Sequence, residues 1–314
     1  MVVPFCLVSL WLAHRLVPTT APGGLAAGQD GASLDWPGLL LASVGTLCVL
    51  NALVQWHAGA VVPAAALLAV ALAALSSFWM RQRRLGRELA SGGNPPLLNP
   101  ALFASRPFAM GGIVAFIYGM ALFGSTYLLP VFMQLGLSLS PSYVGTILLP
   151  AGMVLALTIG VAGRLADNQP THVLVSIGLV LLAASFALMV TVSLSTGIWL
   201  LVAWAILGRI GLGFILPSLN LGAMRGLDRS MIPQGSSAIN FLRMLGGAVG
   251  VSLSGIVLEW RLAAHGDSLS TPVSSAQRLA AFHETFLLLS ALCAVALLAA
   301  WRLRSPVSSP ESKL

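Results

Sequence analysis

Residues 142–193 read SYVGTILLPAGMVLALTIGVA, then GRLADNQPTH, then VLVSIGLVLLAASFALMVTVS: two apolar runs joined by a hydrophilic link. A helix needs about 20 mostly apolar residues to cross the hydrocarbon core of a bilayer, and each run is long enough to do so. The link is short, so the two helices would run antiparallel. This stretch therefore predicts a pair of transmembrane helices with a polar connection at one membrane surface.

The rest of the chain has the same character. Of its 314 residues, 57% are hydrophobic and 8% are charged, and its mean hydropathy is +0.92. Soluble domains carry about 25% charged residues, so the composition excludes a soluble fold and predicts an all-α polytopic membrane protein. Eight full-length spans are expected, at 37–56, 60–80, 108–134, 142–162, 171–193, 197–217, 235–258 and 281–301. A shorter run, MVVPFCLVSLWLAH, is interpreted as the end of a ninth helix that enters the cytoplasm at Arg15.

The net charge of +7 is explained by the placement of the basic residues. With Arg15 inside, twelve basic residues fall in cytoplasmic segments and two, Arg261 and Arg278, fall outside. The twelve are Arg15, Arg81, Arg83, Arg84, Arg87, Arg106, Arg164, Arg225, Arg229, Arg302, Arg304 and Lys313. This positive-inside asymmetry predicts a cytoplasmic C-terminus and accounts for the charge without nucleic acid as a partner.

The spans and the segments between them divide the chain into five parts. They are 1–34, a helix remnant with a Pro/Gly/Ala-rich linker; 35–80, a two-helix hairpin; 81–106, a basic cytoplasmic loop; 107–302, a six-helix unit; and 303–314, a disordered tail. Asp35 in DWPG is placed to cap the first helix of the hairpin.

Several stretches, in this order, resemble the fourteen-helix drug:proton antiporter branch of the major facilitator superfamily. They are LDWPGLLLASVGTLCVLNAL, NPALFASRPFAMGG, YLLPVFMQLGLSLSPSYVGTILLPAG, GRLADNQP and NFLRMLGGAVGVSLSG. The resemblance implies export of lipophilic or amphipathic drugs by alternating access, coupled to proton entry, in a bacterial inner membrane. It also implies that the family's first five helices are missing before Met1, so the chain looks like the C-terminal two-thirds of a transporter.

Two alternatives stay open beside drug efflux. One is a specific-metabolite transporter of the same superfamily, and the other is a truncated chain or half-transporter that is inactive without an N-terminal partner. The expected partners are the lipid bilayer, small lipophilic substrates and protons, with the missing N-terminal half or an efflux adaptor protein as further candidates. No nucleophile–base pair, phosphate loop or metal-ligand spacing appears in the sequence, so no enzyme activity and no cofactor are expected.

The link GRLADNQP resembles the second-half copy of the superfamily's cytoplasmic gate motif. By that resemblance Gly163 allows helices to approach, Arg164 sets orientation, and Asp167 caps the next helix or pairs with an arginine across the gate. The sequence lacks the arginine that the motif places after the aspartate. The alternative interpretation is an ordinary helix-capping loop.

Two arginines lie within spans, where an arginine costs at least about 2.5 kcal/mol and normally faces a cavity or partner. Arg209 is expected about eight residues from the cytoplasmic end of its helix, either as a cavity cation or snorkelling to the interface. Arg243 shares a helix face with Asn240, which predicts an interhelical hydrogen-bond network. Tyr118 and Gln134 are the substrate-cavity candidates, because each adds a polar group to an adaptable aromatic and methionine-rich helix.

Glycines recur at short spacing in two of the predicted spans. The two sets are Gly208, Gly211 and Gly213 in one span and Gly246, Gly247 and Gly250 in the other. Glycine has no side chain, so these series predict faces on which two helices pack closely.

Overall fold

The computed structural model of the chain describes residues 2–16, 35–88, 96–268 and 275–303. Within these ranges the secondary structure is helical and contains no strand. The helices are α1 (Val2–Leu16), α2 (Trp36–His57), α3 (Val61–Glu88), α4 (Arg106–Val131), α5 (Pro141–Asn168), α6 (Thr171–Met189), α7 (Ile198–Met224), α8 (Ile232–Ala264) and α9 (Ala276–Trp301). A 3₁₀ turn, Pro100–Ala104, precedes α4, and a π-helical turn, Phe132–Gly136, follows it.

In the described part of the chain, eight helices, α2 to α9, are long and apolar enough to cross a membrane. This confirms the predicted number of full-length spans and the all-α membrane class. The protein is therefore an integral membrane protein whose helices contact the lipid bilayer. The predicted remnant linker and C-terminal tail, residues 17–34 and 304–314, lie outside the described residues.

Several helices continue beyond the apolar stretches that predicted them. Helix α3 runs to Glu88, so the predicted start of the basic loop at residue 81 is wrong. Helix α7 runs to Met224, seven residues past the predicted end of its span. Hydropathy marks only the part of a helix that suits hydrocarbon, whereas an existing helix gains one backbone hydrogen bond for each residue added.

The charged ends of the helices differ strongly. One end of the bundle, here called the arginine-rich end, carries Arg81, Arg83, Arg84, Arg87, Arg106, Arg164, Arg225, Arg229 and Arg302 among the described residues. The opposite end carries Arg261 and Arg278. Helices α4, α6 and α8 begin at the arginine-rich end, and α5, α7 and α9 finish there. The side of the membrane that each end faces remains a prediction.

Helices α4 and α8 pack with their main chains in contact. A Cβ atom added to Gly246 would lie 2.0 Å from the carbonyl oxygen of Phe116, and one added to Gly250 would lie 2.4 Å from the Cα of Met120. In the other direction, a Cβ on Gly119 would lie 2.0 Å from the carbonyl oxygen of Arg243. No side chain larger than hydrogen fits at these positions, so the predicted close packing at Gly246 and Gly250 is confirmed.

The second predicted glycine series joins α7 to its neighbours. A Cβ on Gly208 would lie 2.7 Å from Ser185 Oγ on α6, and one on Gly213 would lie 2.7 Å from the Cβ of Thr158 on α5. Close packing is thus confirmed here as well. The two glycine series therefore join α4 to α8, and α7 to α5 and α6, by close contacts.

The hairpin α2–α3 is held by a buried polar network at the arginine-rich end. Asp35 caps α2 as predicted, since its Oδ1 accepts the Gly38 N–H at 3.0 Å. Arg81 Nε donates to the same oxygen at 2.8 Å, and Gln82 Nε2 donates to Asp35 Oδ2 at 2.8 Å. Burial acts to raise the pKa of Asp35, but the bonds from Gly38, Arg81 and Gln82 together hold it below its ordinary value.

The same network attaches the hairpin to the six-helix unit. Gln82 is fully buried, and its Oε1 accepts the N–H of Leu98 at 3.0 Å, which fixes the segment that leads into α4. Trp79 of α3 and Phe108 of α4 pack edge-on against the two sides of Phe103, with ring centroids 5.9 and 5.3 Å apart. The segment before α4, predicted as part of a loop, therefore packs against both the hairpin and the six-helix unit and connects them.

Candidate functional site

Arg209 lies deep in α7, eleven residues after Ile198 and fifteen before Met224. At 1.5 Å per residue these separations are about 16 and 22 Å along the helix. Helix α7 continues seven residues past the predicted end of its span, to Met224. The cavity interpretation of Arg209 and its alternative, snorkelling to the interface, both remain predictions.

Tyr118 brings the two intramembrane arginines into one site. Its side chain is 2% exposed, and its hydroxyl is close enough to interact electrostatically with both Arg209 and Arg243. Counted from the arginine-rich end, Tyr118 lies about 18 Å along α4, Arg209 about 22 Å along α7 and Arg243 about 16 Å along α8. Three residues that are far apart in sequence thus lie at similar distances from this end of the bundle, with both arginines within electrostatic range of Tyr118.

Asn240 and Arg243 form a pair within α8. Arg243 Nη2 donates to Asn240 Oδ1 at 2.5 Å, so the partners lie on one helix and the predicted interhelical network is not observed between them. Asn240 is exposed and Arg243 is partly exposed. A neutral amide satisfies one donor of the guanidinium but leaves its positive charge uncompensated.

A small cavity adjoins Arg209 between α4, α6 and α7. Its volume is about 20 Å³, and its polar lining comes from Ser125, Ser185 and Arg209. This volume matches a single water molecule. Ser185 Oγ donates to the carbonyl oxygen of Trp204 at 2.7 Å, whereas Ser125 Oγ donates to its own helix at Leu122. Neither serine is predictable as a site residue from the sequence, because a single serine in an apolar span carries no distinguishing pattern.

Gln134 is not part of this site. It lies in the π-helical turn sixteen residues after Tyr118, which is about 24 Å further along the helix. Next to it Phe132 is fully buried and packs edge-on against Phe282 and Phe286, each at 5.4 Å between ring centroids. Phe132 is therefore a buried packing residue, and a cavity role for Gln134 stays a prediction.

The three gate-motif residues lie in the last turns of α5, at the arginine-rich end. Asp167 and Arg164 are exposed, and a Cβ on Gly163 would meet no atom within 4 Å. The predicted cap is wrong: Asp167 belongs to α5, and Pro170, which precedes α6, makes no side-chain cap bond. Within the described residues the Asp167 carboxylate has no hydrogen-bond or ion-pair partner. Any partner for the gate motif therefore has to come from outside these residues.

Among the described residues, pairs of arginine with a carboxylate connect the helices at the opposite end of the bundle. Arg278 is 1% exposed and binds Asp267 through Nε at 3.1 Å and Nη2 at 3.0 Å. It also donates to the carbonyl oxygen of Leu135 at 3.3 Å, which ties the α8–α9 loop to the end of α4. Arg261 of α8 binds both carboxylate oxygens of Glu284 on α9. No sequence pattern predicted these pairs, since their partners lie on different helices or across the α8–α9 loop.

Comparisons with known proteins agree with this architecture. Residues 31–251 match the family described as Major Facilitator Superfamily. The methylenomycin A resistance protein of Streptomyces coelicolor is 28% identical over 241 residues, which cover 75% of this chain and 48% of that protein. The multidrug resistance protein B homolog of Mycobacterium tuberculosis is 28% identical over 270 residues, covering 82% of this chain and 46% of the relative.

A third relative, the colistin resistance protein EmrB of Acinetobacter baumannii, is 31% identical over 172 residues, which cover 54% of this chain and 33% of that protein. The chain thus spans less than half the length of these curated relatives. The family match, by contrast, covers well over half of the chain and includes α2 to α7 and much of α8. The protein belongs to the Major Facilitator Superfamily.

Proposed function

We propose that this chain is the C-terminal part of a transporter that exports lipophilic or amphipathic toxic compounds in exchange for protons. The observation that carries the proposal is the convergence of Tyr118, Arg209 and Arg243 at one depth inside an otherwise apolar bundle. Polar groups at membrane depth mark a substrate or ion pathway. The names of the relatives, which refer to resistance to methylenomycin A, colistin and multiple drugs, support export as the direction of transport.

Alternating access would proceed by rigid-body rocking of this unit against a second, N-terminal half. The backbone contacts of Gly246 and Gly250 with α4 favour movement of the bundle as one body. The exposed motif of Gly163, Arg164 and Asp167 at the end of α5 would contact the other half when the inner gate closes. Opening would then break an Asp167 ion pair in exchange for substrate or proton binding.

The arginine-rich end would face the cytoplasm, in keeping with the positive-inside rule, and would place the C-terminus there. Because the relatives are bacterial, the membrane would be the bacterial plasma membrane. Proton coupling requires a carboxylate or another titratable group on the transport path. In the described residues the carboxylates lie near helix ends or in ion pairs, so we place the proton carrier in the N-terminal half.

The proposal is tested by expressing two segments of DNA: the reading frame for residues 1–314, and the genomic segment that also includes the DNA upstream of Met1. Everted vesicles from an efflux-deficient bacterium are loaded by ethidium uptake under a proton gradient. We expect transport with the longer segment, its collapse by a protonophore, and none with residues 1–314 alone. Absence of movement of both ethidium, a cation, and 11-(dansylamino)undecanoate, an anion, with both segments would contradict export. Full transport by residues 1–314 alone would contradict the need for an N-terminal half.

A further inference from the structure

Among the described residues, two arginines lie well inside membrane-spanning helices, and no carboxylate neutralises them. Arg209 and Arg243 lie about 22 and 16 Å from the arginine-rich end of their helices. The carboxylates of the described residues are Asp35, Glu88, Asp167, Asp228, Glu259, Asp267 and Glu284. Six of them lie in loops or within five residues of a helix end, and Glu284 is bound by Arg261. None of them neutralises the two intramembrane guanidinium groups.

The described neighbours of Arg209 supply no negative charge to compensate its guanidinium. A guanidinium keeps its charge in proteins, and its five N–H donors require acceptors. Within the described residues the Arg209 side chain makes no hydrogen bond and no ion pair. Its neighbours are the hydroxyl of Tyr118 and the cavity with Ser125 and Ser185, all of which are neutral.

These groups have the complementarity that a carboxylate needs. A guanidinium binds a carboxylate through two parallel N–H···O bonds, and a phenol can donate a third bond to the same group. Arg243 adds a second positive charge from α8, since its Asn240 partner is neutral. The adjoining cavity is about 20 Å³, so it has room for one water but not for the body of a ligand.

We propose that Arg209, with Tyr118 and Arg243, forms a binding site for the carboxylate of an amphipathic anionic ligand, whose apolar body lies along the helices outside the small cavity. The inference rests on the proposed export function and names a substrate class for it, namely lipophilic carboxylic acids. Binding neutralises a charge that the bundle leaves uncompensated, so the ligand anion is favoured over its neutral form. The competing occupant is an acidic side chain of an N-terminal half.

The site is tested by binding to the purified 314-residue chain in phosphatidylcholine nanodiscs. The probes are 11-(dansylamino)undecanoate and its methyl ester, which differ in the negative charge and one methyl group, and empty nanodiscs provide the partition background for each probe. We expect the chain to bind the carboxylate about tenfold to a hundredfold more tightly than the ester, as for one charge-assisted contact. Arg209→Gln should abolish this preference, and Arg209→Lys should retain part of it because the charge remains.

Arg225→Gln is the matched control, because it removes an equal charge at the exposed C-terminal end of the same helix. It should keep the full preference for the carboxylate probe. Equal binding of the two probes by the unchanged chain would overturn the site, as would a preference that survives Arg209→Gln or disappears in Arg225→Gln. The titration is then repeated with the product of the longer genomic segment, to test whether an acidic side chain of an N-terminal half occupies the site. Loss of the carboxylate preference in that product would show that Arg209 binds a carboxylate of the protein instead of a ligand.

Ethidium transport by the longer segment separates the two proposals. If ethidium is exported but no carboxylate preference is found, the anion site fails and the export function stands. If the chain prefers the carboxylate but the segment moves neither probe nor ethidium, the export function fails and the site stands.

Discussion

The packing of α4 against α8 predicts the effect of Gly246→Ala. The added Cβ would lie 2.0 Å from the carbonyl oxygen of Phe116, 2.7 Å from its carbonyl carbon and 2.9 Å from its Cα. All three are main-chain atoms, so no rotamer change can relieve the contact. Ordinary van der Waals contact begins at 3.4 Å, and the two helices therefore have to separate by about 1.4 Å at this point.

The magnitude follows from two opposing effects. Overpacking that forces a backbone shift costs about 1–3 kcal/mol, and the loss of neighbouring close contacts, such as Gly250 on Met120, adds to it. Alanine also favours a helix over glycine by up to about 1 kcal/mol. The net expectation is a loss of about 1–2 kcal/mol in the free energy of unfolding.

The assay is unfolding of the purified chain in mixed micelles by increasing SDS, followed by circular dichroism of the helices. Gly152→Ala is the matched control, because Gly152 is an exposed helical glycine of α5 whose added Cβ would meet no atom within 4 Å. Gly152→Ala should leave the transition unchanged or raise it, whereas Gly246→Ala should lower it. Equal midpoints for the two variants would refute the main-chain contact between α4 and α8.

Asp35→Asn should lower the free energy of unfolding by about 1–3 kcal/mol near neutral pH, because the charge-assisted bonds from Arg81 and Gln82 are weakened. Since the folded pKa of Asp35 lies below its ordinary value of 3.8, this stabilisation is present above pH 3.8 and is lost as the pH falls through the folded pKa, so the variant should be less pH-dependent there; a parallel pH profile would contradict the network. Arg278→Gln should destabilise the chain by about 3–5 kcal/mol in the same SDS assay, because Asp267 loses its buried partner, and adding Asp267→Asn should restore part of the loss; strict additivity would argue against the ion pair. Asp167→Asn should change the stability of residues 1–314 by less than about 0.5 kcal/mol, since the side chain is exposed, yet impair ethidium transport by the longer genomic segment; unchanged transport would leave Asp167 without a gating role.

Much of the architecture was predictable from the sequence, because a helix that crosses hydrocarbon has to be apolar over a fixed length. A span of about 20 apolar residues and an asymmetric distribution of arginines fix the number of membrane helices and distinguish the two ends of the bundle. Helix caps and close-packing faces were equally predictable, because they depend on residues that are near one another in the sequence. The cap of Asp35 on Gly38 and the small faces around Gly208 and Gly246 follow from short spacings within one helix.

Helix ends and depth could not be read in the same way. Helix α7 continues to Met224, seven residues beyond its apolar stretch, so Arg209 lies fifteen residues from the end of the helix. Asp167 changed from a cap of α6 to an exposed residue of α5 for a similar reason, because backbone hydrogen bonding carried α5 through the predicted link to Asn168. Neither extension, that of α7 or that of α5, can be predicted from the hydropathy of the sequence.

The sequence by itself determined that this protein lies in a lipid bilayer, how many of its helices are long enough to cross the bilayer, and which residue types its interior tolerates. Only the tertiary structure decided which residues lie near one another: Arg209 of α7 and Arg243 of α8 are within electrostatic range of Tyr118 on α4, while Gln134, in the turn that follows α4, lies about 24 Å from Tyr118 along the helix. The reason is physical. Periodicity specifies which face of a helix is polar, but the partner of that face is chosen by backbone contacts between helices, such as those at Gly119 and Gly246, that are distant in the chain.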